Sequence, residues 1–566
     1  MALICRVLPA FLVVLAALAT PSNSHGDGKL TLRCHPDQAA TLLQLKKSFS
    51  FLRYPNPLES WQDGTDYCLW EGVGCNNSSG RVTALELGGC GLCSQGLDPA
   101  IFDLTSLQVL DLSMNNFGPY SLPANGFERL ASLTHLNLSY SGFVGQIPTG
   151  IGKLANLISL DLSNNYGSGS EDSFCSHVTK THDFFQTELE VLNFEILVAN
   201  LSSLRELYLD EVDMSSSRDW CHALAKSLPH LRVLSLSFCG LSGPICPSLS
   251  ALHSLTMINL EGNFDIPAPF PVLFMDFLNL SVFQLAGTNL QGSFSNFKSL
   301  QTLSLDVNFA FMEHQSSLGI HKSLRHLELT LTDSTKDLGL ILSSIGDLQN
   351  LASLELRGWN FSWKSFSSVA KLKNLRSLSM YYCSFTKPSL PAIGNLVNLR
   401  SLVIHQCELN GPMPSAIGNL ADLESLEITD YDFLGPIPSA IGNLRSLKSL
   451  EINAHGLLGP IPSSIGNLSS LISLAISTSE FSGPMPPAIC NLSNLEALEM
   501  SNSGFSGPIL YAVGLLKKLT SLRLQESSFS GSIPDSIFNL TRLIELDLSF
   551  NLLSGKTIFY ILIMIT

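Results

Sequence analysis

At 566 residues the chain is too long for one conventional core, and 45% hydrophobic against 14% charged residues excludes a disordered polymer. A formal net charge of −15 argues against nucleic acid or an anionic membrane surface as the main partner.

Residues 1–24 read as a secretory signal: Arg6, an apolar run from Leu8 to Ala19, then the small residues Ser22 and Ser24 before a cleavage point. The run is about 12 residues, short of the roughly 20 that a membrane span needs. The compartment implied is the secretory pathway. Nine Asn-x-Ser/Thr sequons follow, at Asn76, Asn77, Asn137, Asn200, Asn279, Asn360, Asn467, Asn491 and Asn539, and in a secreted chain they are glycan acceptors. Asn137 lies between Leu136 and Leu138, which places it on the face of a strand.

Residues 25–80 are expected to form an N-terminal cap. Leu42, Leu45 and Phe49 fall at helical spacing between Asp37 and Phe51, and Trp61 and Trp70 are suited to cover an open end. Cys68 and Cys75 are close enough in sequence to pair in an oxidising compartment.

From Leu85 onward a Leu-x-Leu phrase recurs, at Leu110, Leu136 and Leu160, then after a 47-residue gap at Leu207, and again at Leu234, Ile258, Phe283, Leu303 and Leu327. Residues near 166–200 therefore read as an irregular insertion, a loop plus a helical turn. From Leu354 the step becomes constant at 24 residues through Leu378, Leu402, Leu426, Leu450, Leu474, Leu498, Leu522 and Leu546. Such a period is the signature of a leucine-rich-repeat stack. In Leu399 to Leu409, alternation at Leu402 and Ile404 buries one face of a short strand, while Ser401, Val403 and His405 face the other way. One coil cannot bury its own apolar edge, but neighbours can do it for each other. The Gly435-Pro436-Ile437-Pro438 type of phrase must turn the chain away from the sheet, because proline lacks the donor. The expected fold is an α/β repeat solenoid over residues 81–555, about 19 coils, curved and right-handed, with a parallel β-sheet on the concave face. Its glycines are read as turn residues.

Asn or Cys five residues beyond the strand leucine should satisfy buried backbone groups from coil to coil. Cys90, Cys239, Cys383 and Cys407 fall there, with Asn115, Asn165, Asn263, Asn308 and Asn551. Cys383 and Cys407 stack in adjacent coils, and spacing leaves open whether they bridge. Cys221 and Cys246 are a further candidate pair, while Cys93, Cys175 and Cys490 are unassigned. Residues 556–566 are an aberrant apolar tail, about half a membrane span, where another repeat would continue. It reads as a truncation or as a plug for the last coil.

The phrases Leu42-Leu43-Gln44-Leu45-Lys46, Ser60-Trp61 and Cys68-Leu69-Trp70-Glu71-Gly72-Val73-Gly74-Cys75, with the Gly-x-Ile-Pro phrase of the repeats, resemble plant extracellular leucine-rich-repeat receptor-like proteins and receptor-like kinases. Trp220-Cys221, Leu234-Ser235-Leu236 and Cys239-Gly240-Leu241-Ser242-Gly243-Pro244-Ile245 are most similar to receptor-like proteins of the fungal (Verticillium wilt) resistance type. One departure is Tyr67, where the family often has a cysteine, which leaves Cys34 without its usual partner. The resemblance implies a cell-surface receptor in immune perception that signals through a co-receptor or adaptor receptor-like kinase. It would sit at the plasma membrane if a membrane helix follows, and be extracellular otherwise. Two alternatives stay open: a secreted inhibitor of microbial cell-wall hydrolases, like the polygalacturonase inhibitors, and the ectodomain of a developmental peptide receptor.

No His-Glu-x-x-His or Gly-x-Ser-x-Gly motif is present, and the histidines show no metal-ligand spacing. Neither an enzyme nor a cofactor or metal is expected. The outward strand positions form columns instead. Tyr381, Tyr382, His405, Glu427, Asp430, Glu451 and Asn453 are the candidate ligand contacts, since tyrosine offers contact area at low entropic cost and the carboxylates favour a basic or polar ligand. That ligand would be a peptide, a protein or a glycan fragment.

Overall fold

Each strand leucine stacks on the same leucine of the next coil. The computed structural model describes residues 35–51, 56–165, 188–267, 277, 279–288, 299–307, 321–331, 339–361, 363–385, 390–409, 411–430, 435–454, 458–477 and 483–554. The chain divides into two compact units, Met1–Leu290 and Gln291–Thr566. The signal segment, Cys34, Cys175, Asn308 and the apolar tail all lie outside the described residues.

In the first unit, the cap opens with a helix, Pro36–Ser48, that buries Gln38, Leu42 and Leu45. Gln38 accepts the backbone N–H of Val82 through Oε1 at 2.8 Å, which ties the helix to the first coil. Trp61 and Trp70 stack with ring centroids 5.5 Å apart, and Trp61 Nε1 donates to the Glu71 carbonyl at 2.8 Å. Cys68 and Cys75 are disulfide-bonded. Tyr67 is fully buried, accepting from the His35 N–H at 3.0 Å and donating to the Gly80 carbonyl at 2.7 Å. A phenol thus links the start of the cap to its end by hydrogen bonds at the position where the resembling family often has a thiol. Strand Val73–Cys75 runs antiparallel to Val82–Glu86 and seats the cap on the ladder.

From there the strands are parallel, with Leu85, Leu110, Leu136, Leu160, Leu207, Leu234, Ile258 and Phe283 paired in sequence. Leu160 pairs directly with Leu207, so the 47-residue break leaves the register intact. Within the described part of that insertion, Leu189–Glu190 is a strand, but of a second small sheet, where it pairs with Gly145 and Gln146. The helical turn is Phe194–Val198, capped by Asn193 Oδ1 accepting from the Ile196 N–H at 3.0 Å. Helix Trp220–Ser227 carries Cys221, which is disulfide-bonded to Cys246. Cys93 is also in a disulfide.

In the second unit the pairing continues from Leu303 through Leu327 and Leu354 to Leu378, Leu402 and Leu426, then from Leu450 through Leu474 and Leu498 to Leu522 and Leu546. The Pro-x-Pro phrase leads into a single helical turn opposite the sheet, as at Ser415–Asn419, Ser439–Asn443 and Ser463–Asn467. The turn-residue reading holds for Gly435 and Gly459, whose φ is positive, but not for the glycine inside these helical turns. A Cβ on Gly442 would lie 2.4 Å from the Ser464 carbonyl oxygen, and one on Gly418 would lie 2.6 Å from that of Ala440. Neither has a positive φ. The recurring glycine sets how closely adjacent coils approach.

The buried ladder is present in both units. Asn115 Nδ2 donates to the Leu87 and Leu112 carbonyls, and its Oδ1 accepts from Leu92 N–H, each at 2.9 Å. Asn165, Asn263 and Asn551 repeat the pattern. Cys383 and Cys407 are buried thiols that do not bridge. Cys407 Sγ instead accepts from the Cys383 N–H at 3.4 Å and donates to the Met380 carbonyl at 3.4 Å. Cys90, Cys239 and Cys490 are likewise buried thiols outside any disulfide. Burial pushes the Cys239 thiol well above its ordinary range, as suits a structural donor rather than a nucleophile.

Candidate ligand-binding face

Because side chains alternate along a strand, every residue flanking a buried leucine emerges on one common face. In the second unit that face carries the predicted residues. Tyr381 and His405 sit at paired positions of adjacent strands, with ring centroids 5.7 Å apart. Tyr382 follows in a left-handed conformation, φ 53°, which swings its exposed ring over the same histidine at 6.0 Å, edge to face. Glu427 and Glu451 are paired across the next two strands, as are Thr429 and Asn453. The side chain of Asp430 lies outside the described residues.

The structure adds a residue to this patch. Arg357 pairs with Tyr381 across adjacent strands, and its guanidinium stands 4.5 Å from the tyrosine ring centroid. It also bridges Glu328 at 3.3 Å and Glu355. At a partly exposed site such a cation–π contact is worth about 0.5–1 kcal/mol. The result is a continuous run along the sheet, Arg357 over Tyr381, Tyr381 against His405, and His405 against Tyr382. The column was visible in the sequence, but the choice of Arg357 required pairing position three of one coil with position three of the next. Farther along, Arg523 is held between Glu545 at 2.7 Å and Glu499 at 3.6 Å.

Electrostatics mark the carboxylates of this face as crowded. Burial raises the Glu451 carboxyl above its usual range, and neighbouring Glu427 and Glu499 raise it further. Glu355 is raised by burial and by Glu328, against the opposing pull of Arg357. Burial, then Glu355, raises the Tyr381 hydroxyl. By contrast, the side-chain bonds from Arg523 and Ser521 hold Glu545 below its usual range.

The corresponding face of the first unit is built from short polar side chains. Asp111, Asn137 and Asp161 pair in register. Each accepts from the backbone N–H and hydroxyl of the serine two residues on, at 2.6–3.1 Å. Tyr208, next in the row, has its hydroxyl pushed up to about 12 by burial and by Glu206, Asp161 and Asp210. Asp161 is raised chiefly by burial, with Asp210 adding to it, while bonds from Ser163 and Ser139 work against the shift. A carboxyl raised in the folded state contributes stability below its unfolded pKa and loses it as pH rises through the folded value. Asn137 shows that an amide fits the same pocket. In a chain made without glycosylation, because the change completes an Asn-x-Ser sequon with Ser163, Asp161→Asn is therefore expected to raise the thermal midpoint at pH 7.5, with the gain shrinking steadily toward pH 4. Melting curves at a series of pH values measure this, and a gain that grew on acidification would contradict it.

Eight of the nine sequon asparagines are exposed, and Asn137 is half-buried on the sheet face.

Comparison with known proteins agrees with this architecture. Residues 35–76 match the Leucine rich repeat N-terminal domain, residues 91–339 and 361–484 a Leucine-rich repeat region, and residues 518–540 a Leucine Rich Repeat. Receptor-like protein 6 of Arabidopsis thaliana is 32% identical over 297 residues, 48% of this chain and 28% of that protein. Receptor-like protein Cf-9 of Solanum pimpinellifolium is 30% identical over 260 residues, 42% of this chain and 27% of the other. The matched stretch is thus little more than a quarter of these relatives. Among solved structures, the ectodomain of the Arabidopsis thaliana membrane receptor kinase GASSHO1/SCHENGEN3, in complex with CASPARIAN STRIP INTEGRITY FACTOR 2, aligns with TM-score 0.50 and 25% identity over 91% of this chain and 62% of that one.

Proposed function

The chain belongs to the leucine-rich-repeat family, and from that premise we propose that it is an extracellular recognition protein whose strand face binds an extended peptide bearing basic side chains. The observation that carries this reading is the run from Arg357 through Tyr381 and His405 to Tyr382, beside the paired carboxylates Glu427 and Glu451. Aromatic side chains give contact area at little entropic cost, and adjacent carboxylates one strand apart can each meet a cation of an extended chain. Among the described residues no helix is long and apolar enough to cross a membrane.

The reading extends to defence signalling through a partner membrane kinase. It is supported by the likeness to receptor-like proteins and by the cap and repeat phrases of the sequence. The surface sequons are proposed to carry glycans, with Asn137 the one position where a glycan would encroach on the sheet.

Selection of a random peptide library on the secreted chain tests the binding face. The enriched peptides are expected to carry Lys or Arg. Reversing both charges, E427K with E451K, should weaken a synthetic enriched peptide at least tenfold, about 1.4 kcal/mol. Enrichment of acidic peptides, or equal affinity for the double variant, would remove this face from the proposal.

A further inference from the structure

Charge in the second unit is segregated in a way the strand face alone does not explain. The residue two before each strand leucine lies on the turn edge of the stack, beside the sheet and outside its binding face. Its register is fixed by the backbone. The N–H of Arg376 donates to the Ala352 carbonyl, that of Arg400 to Arg376, that of Glu424 to Arg400, and that of Lys448 to Glu424, at 2.7–2.8 Å. Arg325 occupies the same position one coil before Ala352. The turn just ahead of Arg376 adds Lys371 and Lys373. These six cations are exposed. Arg400 and Lys448 clasp Glu424 between them at 3.1 and 2.6 Å, so the carboxylate at this position between Arg325 and Lys448 is already neutralised from both sides, and the next one, Glu496, lies two coils beyond Lys448. Arg325, Lys371, Lys373 and Arg376 form no ion pair among the described residues. The adjacent strand face, by contrast, carries Glu328, Glu355, Glu427 and Glu451, in a chain whose formal net charge is −15.

We propose that this edge is a second binding surface, separate from the peptide face, and that it takes a linear anionic polysaccharide. The row runs across five coil steps from Arg325 to Lys448, about 24 Å at the spacing of adjacent strands. That geometry fits a polymer with regularly repeated acidic groups lying across the coils. A globular protein partner fits less well, because interface cores are depleted of charge and enriched in aromatic side chains, and this edge offers long flexible cations instead. Nucleic acid is excluded by compartment. The proposal rests on the extracellular reading above, but not on the identity of the peptide ligand. A receptor anchored in this way would be held along an acidic matrix while its strand face stays open to soluble ligand.

The test uses the secreted chain and three immobilised glucan or uronan probes: polygalacturonate, dextran sulfate and neutral dextran. Binding is expected to one or both anionic polymers, released by raising salt, and absent on neutral dextran. The two anionic probes tell carboxylate from sulfate recognition. The K371Q/K373Q/R376Q variant should bind at least about tenfold more weakly. K371Q/K373Q, which leaves Arg376 in place, should lose less and guards against misfolding of the triple variant. E427K/E451K should bind the polymer at least as tightly as the native chain does, so failure of the peptide reading is seen separately. Equal binding by the triple variant, binding to neutral dextran, or retention on neither anionic probe would overturn the proposal.

Discussion

Replacing Asn263 by leucine is expected to destabilise the first unit by about 3–5 kcal/mol, because the side chain is fully buried and serves both polarities of backbone. Its Oδ1 accepts from the Cys239 N–H at 3.1 Å and the Leu241 N–H at 2.9 Å, while Nδ2 donates to the Leu236 and Leu260 carbonyls at 2.8 and 2.9 Å. Leucine has similar bulk but leaves two buried N–H groups without an acceptor. Cysteine should cost less than leucine. At the same position two other coils show a thiol sulfur both accepting a backbone N–H and donating to a carbonyl, in Cys407, or donating to Leu209 at 3.1 Å, in Cys239. Urea unfolding of N263L and N263C, followed by tryptophan fluorescence, gives the comparison. The account fails if the leucine variant is the more stable of the two.

The strand positions were legible because a Leu-x-Leu phrase at a fixed interval has one stable arrangement: a neighbour must bury what a single coil cannot. The cap helix, the pairing of Cys68 with Cys75 and the Asn and Cys ladder followed from similarly local spacing. What was not legible depends on the next coil. Gly442 reads as a turn residue until Ser464 is seen 2.4 Å from where its Cβ would stand. Residues near 166–200 read as a loop plus a helical turn, and the strand Leu189–Glu190 within them was missed because it forms only where Gly145 and Gln146 of another coil offer an edge in a second sheet. On the candidate face, Tyr381, Tyr382 and His405 were chosen for residue type, and the structure brings them together. Arg357 was passed over because its value lies in a ring one coil away. The acidic pair Glu427 and Glu451 was visible as a column, whereas its crowding, with Glu499 close enough to raise Glu451 further, required the stack itself.

Trp359→Ala should be the most damaging single change in the second unit, at about 3–5 kcal/mol. Trp359 stands five residues past Leu354, the position that holds Asn or Cys elsewhere, and is fully buried. It performs the ladder function with an indole: Nε1 donates to the Leu329 carbonyl of the preceding coil at 3.0 Å. Its ring stacks on Phe361 at 6.1 Å, and Phe361 in turn stacks on Phe385 of the following coil at 5.0 Å. Alanine removes the donor and opens a cavity in this aromatic column. Phenylalanine would keep most of the volume and leave only the Leu329 carbonyl short of its donor, at about 1–2 kcal/mol. Because each coil contacts only its neighbours, the damage should stay local. The affected strand is the one that carries Arg357, so W359A should also weaken peptide binding at Tyr381 more than it weakens polymer binding at Arg400. Hydrogen exchange of the strands around Leu354 and Leu378, set beside that around Leu522, separates local from global loss. Uniform loss of protection along the unit, or less than about 1 kcal/mol of destabilisation, would show that the indole does not hold these coils together.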